Sequence, residues 1–113
     1  MENRDNLVQI LLSFDLLPGV QEAYHDFVVS TGVPFWMNQT GVQTVRGFRN
    51  ILGSHPQIIA QVDCEGLEAA IRILSSPEYR VIVEEQSKFV SNRLVWLLEP
   101  TGRTSPNDDR RPS

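Results

Sequence analysis

From Leu7 to Asp15 the chain alternates. Val8, Ile10, Leu12 and Phe14 share one face of a predicted strand, and Leu7, Gln9, Leu11 and Ser13 share the other. Pro18-Gly19 ends that strand, and the apolar period then lengthens to that of a helix. Val20, Ala23, Tyr24, Phe27, Val28 and Thr31 form one stripe, with Gln21, Glu22, His25 and Asp26 toward the other side. Thr31-Gly32 predicts a helix stop. Pro34 opens a further turn that carries Phe35, Trp36 and Met37 and closes at Gly41.

Val42 to Ile51 reads as a second strand, and the charges of Arg46 and Arg49, on opposite faces, mark it as an edge strand. A loop of hairpin length, Leu52-Gly53-Ser54-His55-Pro56, leads to a third strand over Gln57 to Asp63. Cys64 to Ser75 has Leu67, Ala70, Ile71 and Leu74 at helical spacing. Ser76-Pro77-Glu78 supplies an N-cap, a first-turn proline and a first-turn acid for the next helix. That helix is expected to bury Tyr79, Ile82, Val83, Phe89 and Val90. Ser91-Asn92 breaks it, and Leu94, Trp96 and Leu98 then alternate with Arg93, Val95, Leu97 and Glu99.

The order βαββαβ predicts an α+β domain over residues 7–99, a four-stranded antiparallel sheet with its helices on one face. Residues 1–6 read as a flexible lead-in. Residues 100–113 hold three prolines and no large apolar side chain, and are expected to be disordered. The faces Val8/Ile10/Leu12/Phe14, Ile58/Ala60/Val62 and Leu94/Trp96/Leu98 are expected to meet the helices. The opposite face then carries Leu7, Leu11, Ile59, Val95 and Leu97 among Gln9, Ser13 and Gln61. Two helical regions on one side leave that face bare, an exposed apolar patch. Burying those aliphatics is worth on the order of 8–15 kcal/mol per subunit before association costs. The expectation is a homodimer that packs sheet to sheet about a two-fold axis.

Composition changes the picture in three places. A formal net charge of −4 disfavours nucleic acid and anionic membrane surfaces as partners. A single cysteine, Cys64, excludes an internal disulfide and fits a reducing cytoplasm. The apolar run Leu7 to Gly19 is interrupted by Gln9, Asp15 and Pro18 and is too short to span a bilayer. The charged start lacks the marks of a secretory signal.

Candidate chemistry is sparse. His25 is a candidate proton acceptor, although its helical angle sets it beside Glu22 and Asp26. His55, in Gly-Ser-His-Pro, reads as a turn residue. The two histidines have no metal-ligand spacing, so no metal is expected. Tyr24, Trp36, Tyr79 and Trp96 each join an apolar body to a polar tip, which suits core filling or a ligand pocket. Gln86 interrupts the apolar stripe of the last helix and needs hydrogen-bond partners if buried. Arg46 or Arg49 suits an anionic or phenolate group, or an edge-strand guard. Arg46-Gly47-Phe48 lacks the further aromatic positions of an RNA-binding strand. No P-loop, dinucleotide fingerprint or nucleophile elbow occurs.

The stretch VRGFRNILGSHPQIIAQVDCEGLEAAIRILSSPEYRVIVEE resembles the strand–hairpin–strand and paired helices of the dimeric α/β-barrel superfamily, in its antibiotic-biosynthesis monooxygenase-like branch. The resemblance covers roughly residues 7–99 and implies a ferredoxin-like unit with a ligand pocket between sheet and helices. It departs from the family where chemistry is concerned. Asp63-Cys64 stands where many members place a tryptophan, no histidine lies between Pro77 and Val90 as in haem-degrading members, and Tyr79 stands where polyketide-cyclising relatives have a histidine. The resemblance implies a cofactor-independent monooxygenase acting on an aromatic or quinol-like substrate. In that reading His25, Tyr79 and Arg46 are the catalytic candidates, and Tyr24, Trp36, Gln86 and Trp96 line the pocket. The missing catalytic sets imply instead a non-catalytic dimeric module that binds a small aromatic ligand or serves an accessory role.

Overall fold

The computed structural model describes residues 7–101. The flexible lead-in expected over residues 1–6 and nearly all of the tail expected to be disordered lie outside the described residues. Four strands, β1 (Val8–Leu16), β2 (Val42–Arg49), β3 (Ile58–Cys64) and β4 (Val90–Leu98), form one sheet in the order β2-β3-β1-β4. Every pairing is antiparallel. The edge position expected of β2 is observed. The core joins Val8, Ile10, Leu12 and Phe14 of β1 to Val62 and Cys64 of β3, Trp36, and Ala70 and Ile73 from the helical layer.

The first helical region does not stop at Gly32. It runs through α1 (Gln21–Phe27), a π turn (Val28–Gly32) and α2 (Val33–Met37). Gly32 stays right-handed, with φ −65°. Pro34 lacks the N–H an α-helix would use, and the wider π turn just before it absorbs the mismatch instead of ending the helix.

The third helix, α3 (Leu67–Leu74), starts three residues later than its periodicity predicts. Cys64 stays in β3 opposite Val8, and the Glu65 N–H donates to Gly41 O at 2.8 Å, so Glu65-Gly66 is a turn. The buried face is therefore Ala69, Ala70 and Ile73, while Leu67 and Ile71 point outward. Two alanines let α3 sit close to the chain before β2. A Cβ on Gly41, whose φ is +95°, would lie 2.7 Å from the Ala69 Cβ. The fourth helix, α4 (Pro77–Gln86), begins as its sequence predicts, with Ser76 Oγ accepting from the Tyr79 N–H at 3.1 Å. It ends at Gln86, and Val90 already belongs to β4.

The face assignment of β4 is reversed from expectation. Ser13 pairs with Leu94 but Asp15 with Ser91, so β4 carries one extra residue in a bulge around Asn92. Asn92 has φ 55°, a left-handed conformation that asparagine tolerates. One inserted residue flips the alternation. Val90 is buried under the helices, Arg93 points inward, and Leu94, Trp96 and Leu98 point away from the helical layer. Val95 and Leu97 lie on the helix side, opposite Leu12 and Ile10. The outer face is thus Leu11, Ile59, Leu94, Trp96 and Leu98, joined by Phe48 opposite Ile59. Leu94 and Trp96 remain 55 % and 46 % exposed. The bare apolar face expected from the sequence exists, with Trp96 on it in place of Val95 and Leu97.

Candidate functional site

A cavity of about 140 Å³ lies between the helical layer and the sheet. Small residues open it. Gly47 of β2 faces Ala60 of β3, and the π turn brings Val28 and Gly32 over the space. A Cβ placed on Gly47 would touch nothing within 4 Å. Leu12, Phe14, Phe27 and Val45 supply most of the apolar wall. π turns of this kind often accompany binding sites because they re-aim side chains without breaking the helix.

Three of the residues singled out from the sequence, Tyr24, Trp36 and Gln86, meet at this cavity. Tyr24 packs edge-on to Phe14 at 5.9 Å, and burial pushes its phenol up to about 12. It is a neutral hydrogen-bond donor at ordinary pH, not a base. Gln86 is buried, and its Oε1 accepts from Arg93 Nε at 2.6 Å. With the carbonyl end engaged, the amide NH₂ is the group Gln86 can still offer. The cavity therefore pairs an apolar interior with two donors.

The remaining candidates direct their polar groups elsewhere. Arg46 borders the cavity, but the register sets its side chain on the outer face opposite Gln61, and its charge helps to hold the nearby Asp63 carboxyl down. Tyr79 packs against Trp36 with ring centroids 5.9 Å apart and planes tilted by 59°, and its hydroxyl accepts from Arg93 Nη2 at 2.8 Å. Both Tyr79 and Arg93 line a separate groove between α4 and β4. His25 is exposed on α1, and Trp96 is on the outer face because of the bulge. Cys64 is fully buried, and burial, with the Asp63 charge beside it, pushes its thiol up to about 11, so it is no nucleophile. Among the described residues no three His, Cys, Asp or Glu side chains gather as metal ligands, and no helix is long and apolar enough to cross a membrane.

Two further groups escaped sequence reasoning. Arg93 is one; its position in a strand predicted to alternate gave no hint that it anchors Gln86 and Tyr79. The other is Asp15, a buried acid at the end of β1, bound to His55 at 2.8 Å. The signal was an acid closing a strand that is otherwise free of charge.

No family model matches the chain, and no curated protein matches it. Solved structures do. A variant of SnoaB, a cofactor-independent oxygenase from Streptomyces nogalater, superposes with a TM-score of 0.72 at 16 % identity, over 90 % of this chain and 99 % of that one. A DABB family protein with a ferredoxin-like fold from Mesorhizobium loti gives 0.72 at 14 % identity, over 86 % and 99 %. A dimeric protein of unknown function with a ferredoxin-like fold, from Bacteroides fragilis, gives 0.59 at 13 % identity, over 82 % and 95 %. The fold is the ferredoxin-like α+β fold that the sequence resemblance implies.

Proposed function

We propose that this protein binds a small oxygen-bearing aromatic ring in the cavity between helices and sheet, and that it works as a homodimer paired through the outer sheet face. The observation that carries the first part is the donor pair, Tyr24 and Gln86, set in an apolar space of about 140 Å³. A cavity of that size accommodates one six-membered ring. Two donors and no base suit a ring bearing a carbonyl or phenolate oxygen as acceptor. The second part rests on Leu11, Ile59, Phe48, Leu94, Trp96 and Leu98, an apolar surface that runs across all four strands and that no element among the described residues covers.

A second reading is cofactor-independent oxygenation, the activity of SnoaB. It is favoured by the same donors, which would stabilise negative charge gathering on a phenol oxygen as the substrate gives up its proton and electrons to oxygen. The proton acceptor would have to come from the substrate or from water, since His25, Arg46 and Tyr79 do not present a base to the cavity.

The test is a thermal-shift titration with hydroquinone and 4-hydroxyacetophenone against wild type and Ala60→Leu, with oxygen uptake followed in parallel. Ligand at a hundred times its dissociation constant stabilises by about 2.7 kcal/mol. The proposal expects a rise in Tm for wild type and none for Ala60→Leu, whose added side chain fills the cavity. Equal shifts in both variants would contradict it. Oxygen consumption that depends on the cavity would favour the second reading; binding without consumption, the first.

A further inference from the structure

On the helical side of β4, away from the outer face, a groove of about 440 Å³ runs between α4 and β4. The bulge at Asn92 turns Arg93 toward it, under α4. The partners of Arg93 are all neutral. Nε donates to Gln86 Oε1 at 2.6 Å, Nη2 donates to the Tyr79 hydroxyl oxygen at 2.8 Å, and the guanidinium carbon sits 5.7 Å from the centre of the Tyr79 ring. Among the described residues no carboxylate pairs with Arg93, nor with Arg80, which lines the same groove from α4. A charge drawn away from water is ordinarily met by an opposite one. Here a half-buried guanidinium is met by an amide and a phenol instead. Two of its five N–H donors are spent, and the Tyr79 hydroxyl, which accepts one of them, keeps its own hydrogen to donate. The apolar wall of the groove is Leu74, Val83 and Val95. The acids of α4, Glu78, Glu84 and Glu85, do not line it. In a chain of net charge −4, the charged side chains facing this groove are both arginines.

We propose that the groove is a second binding site, for the ionised form of an apolar carboxylic acid. The carboxylate bridges Arg93 and Arg80, Tyr79 donates to it, and the hydrocarbon body lies on Leu74, Val83 and Val95. Arginine suits the task because its planar fork matches the two oxygens of a carboxylate. Size and charge set this site apart from the inner cavity, which has about 140 Å³ between two uncharged donors. None of its residues belongs to the apolar face assigned to pairing, so a dimer formed there leaves the groove open.

The plain alternative is that Arg93 only ties β4 to α4. Calorimetric titration of the full chain with 2-naphthoate and with the neutral 2-naphthamide separates the two, because two fused rings exceed a cavity that holds one. The site predicts naphthoate bound at least tenfold more tightly than the amide. Arg80→Gln, at an exposed side chain, should weaken naphthoate about three- to tenfold at unchanged Tm. Arg93→Gln should weaken it further, and Arg93→Lys, which keeps the charge, should restore part of the loss. Ala60→Leu, which fills the inner cavity, should bind naphthoate as wild type does. The proposal is overturned if naphthoate does not bind at millimolar concentration, if the amide binds as tightly, if Arg80→Gln binds naphthoate as wild type does, or if Ala60→Leu removes the binding. Arg80→Gln decides the matter even where Arg93→Gln loses the fold.

Discussion

The two faces of this sheet solve different problems with similar residues. The inner face is closed by α1, α2, α3 and α4, and what is left open there is a small cavity with donors in it. The outer face is as apolar, but no element among the described residues covers it, and it carries the carboxylate of Asp15, which ties β1, β4 and the β2–β3 loop together. The difference teaches that burial by the chain's own helices makes a place for a ligand, while a bare apolar sheet asks for another molecule.

The contrast breaks most sharply on core deletion. Ile10→Ala, at a side chain with no exposure, should cost about 3–4 kcal/mol at any protein concentration. Leu98→Ala on the outer face should have an effect that appears only as concentration rises and the second copy binds. Denaturant titrations at two concentrations check both. If Leu98→Ala is equally costly at high dilution, the outer face is part of the monomer's own core and the contrast collapses.

A somewhat smaller loss is expected at the seam under the inner face. Gly41→Ala meets the Ala69 Cβ at 2.7 Å and forces alanine to a φ of +95°, so a loss of about 2–3 kcal/mol in chemical unfolding is expected. Gly53→Ala, also at positive φ but with open space around it, should cost less. Equal losses would mean that strain alone, not the close approach of α3, governs Gly41.

The smallest effects are in pH, and they have opposite signs on the two faces. The Asn92 and His55 hydrogen bonds hold the Asp15 carboxyl below its ordinary value. At Asp63 burial pulls upward, but the bonds from Thr44 and Gln61 and the Arg46 charge overcome it, and that carboxyl is held down too. Both contributions are complete above the ordinary aspartate value and are lost as pH falls through the lowered ones. Inside, Cys64 and Tyr24 are raised by burial to about 11 and about 12. Their stabilising contributions hold below the ordinary thiol and phenol values and are lost as pH rises toward the raised ones. Thermal melts should therefore fall off at the acid end through the outer face, where Asp15→Asn flattens the slope. At the alkaline end they should fall off through the inner face, where Cys64→Ala flattens it.

Much of this was readable in advance. The alternation of β1 and β3 was strong enough to fix their inner faces, because each runs regularly and the two pair with each other without interruption. Ser76-Pro77 announced α4 by local chemistry alone. What failed has local causes too. A single extra residue at Asn92 inverted β4, and no periodicity count registers a one-residue bulge. The π turn hid a continuous helix behind Gly32 and Pro34, the two residues that ordinarily end one. Of the site, Tyr24, Trp36 and Gln86 were legible because polar tips on an apolar stripe need partners. Arg93 and the Asp15–His55 pair were not, since they arise from contacts 7 to 77 residues apart that only the folded chain brings together.

The central claim is that the bare outer face belongs against a second copy, and sedimentation at micromolar concentration tests it most directly. The account predicts a species of about twice the 12.8 kDa chain mass, reduced to a single chain by Leu94→Lys with the fold intact. A wild-type protein that sediments as one 12.8 kDa chain, with Trp96 quenched freely by a water-soluble quencher, would contradict it.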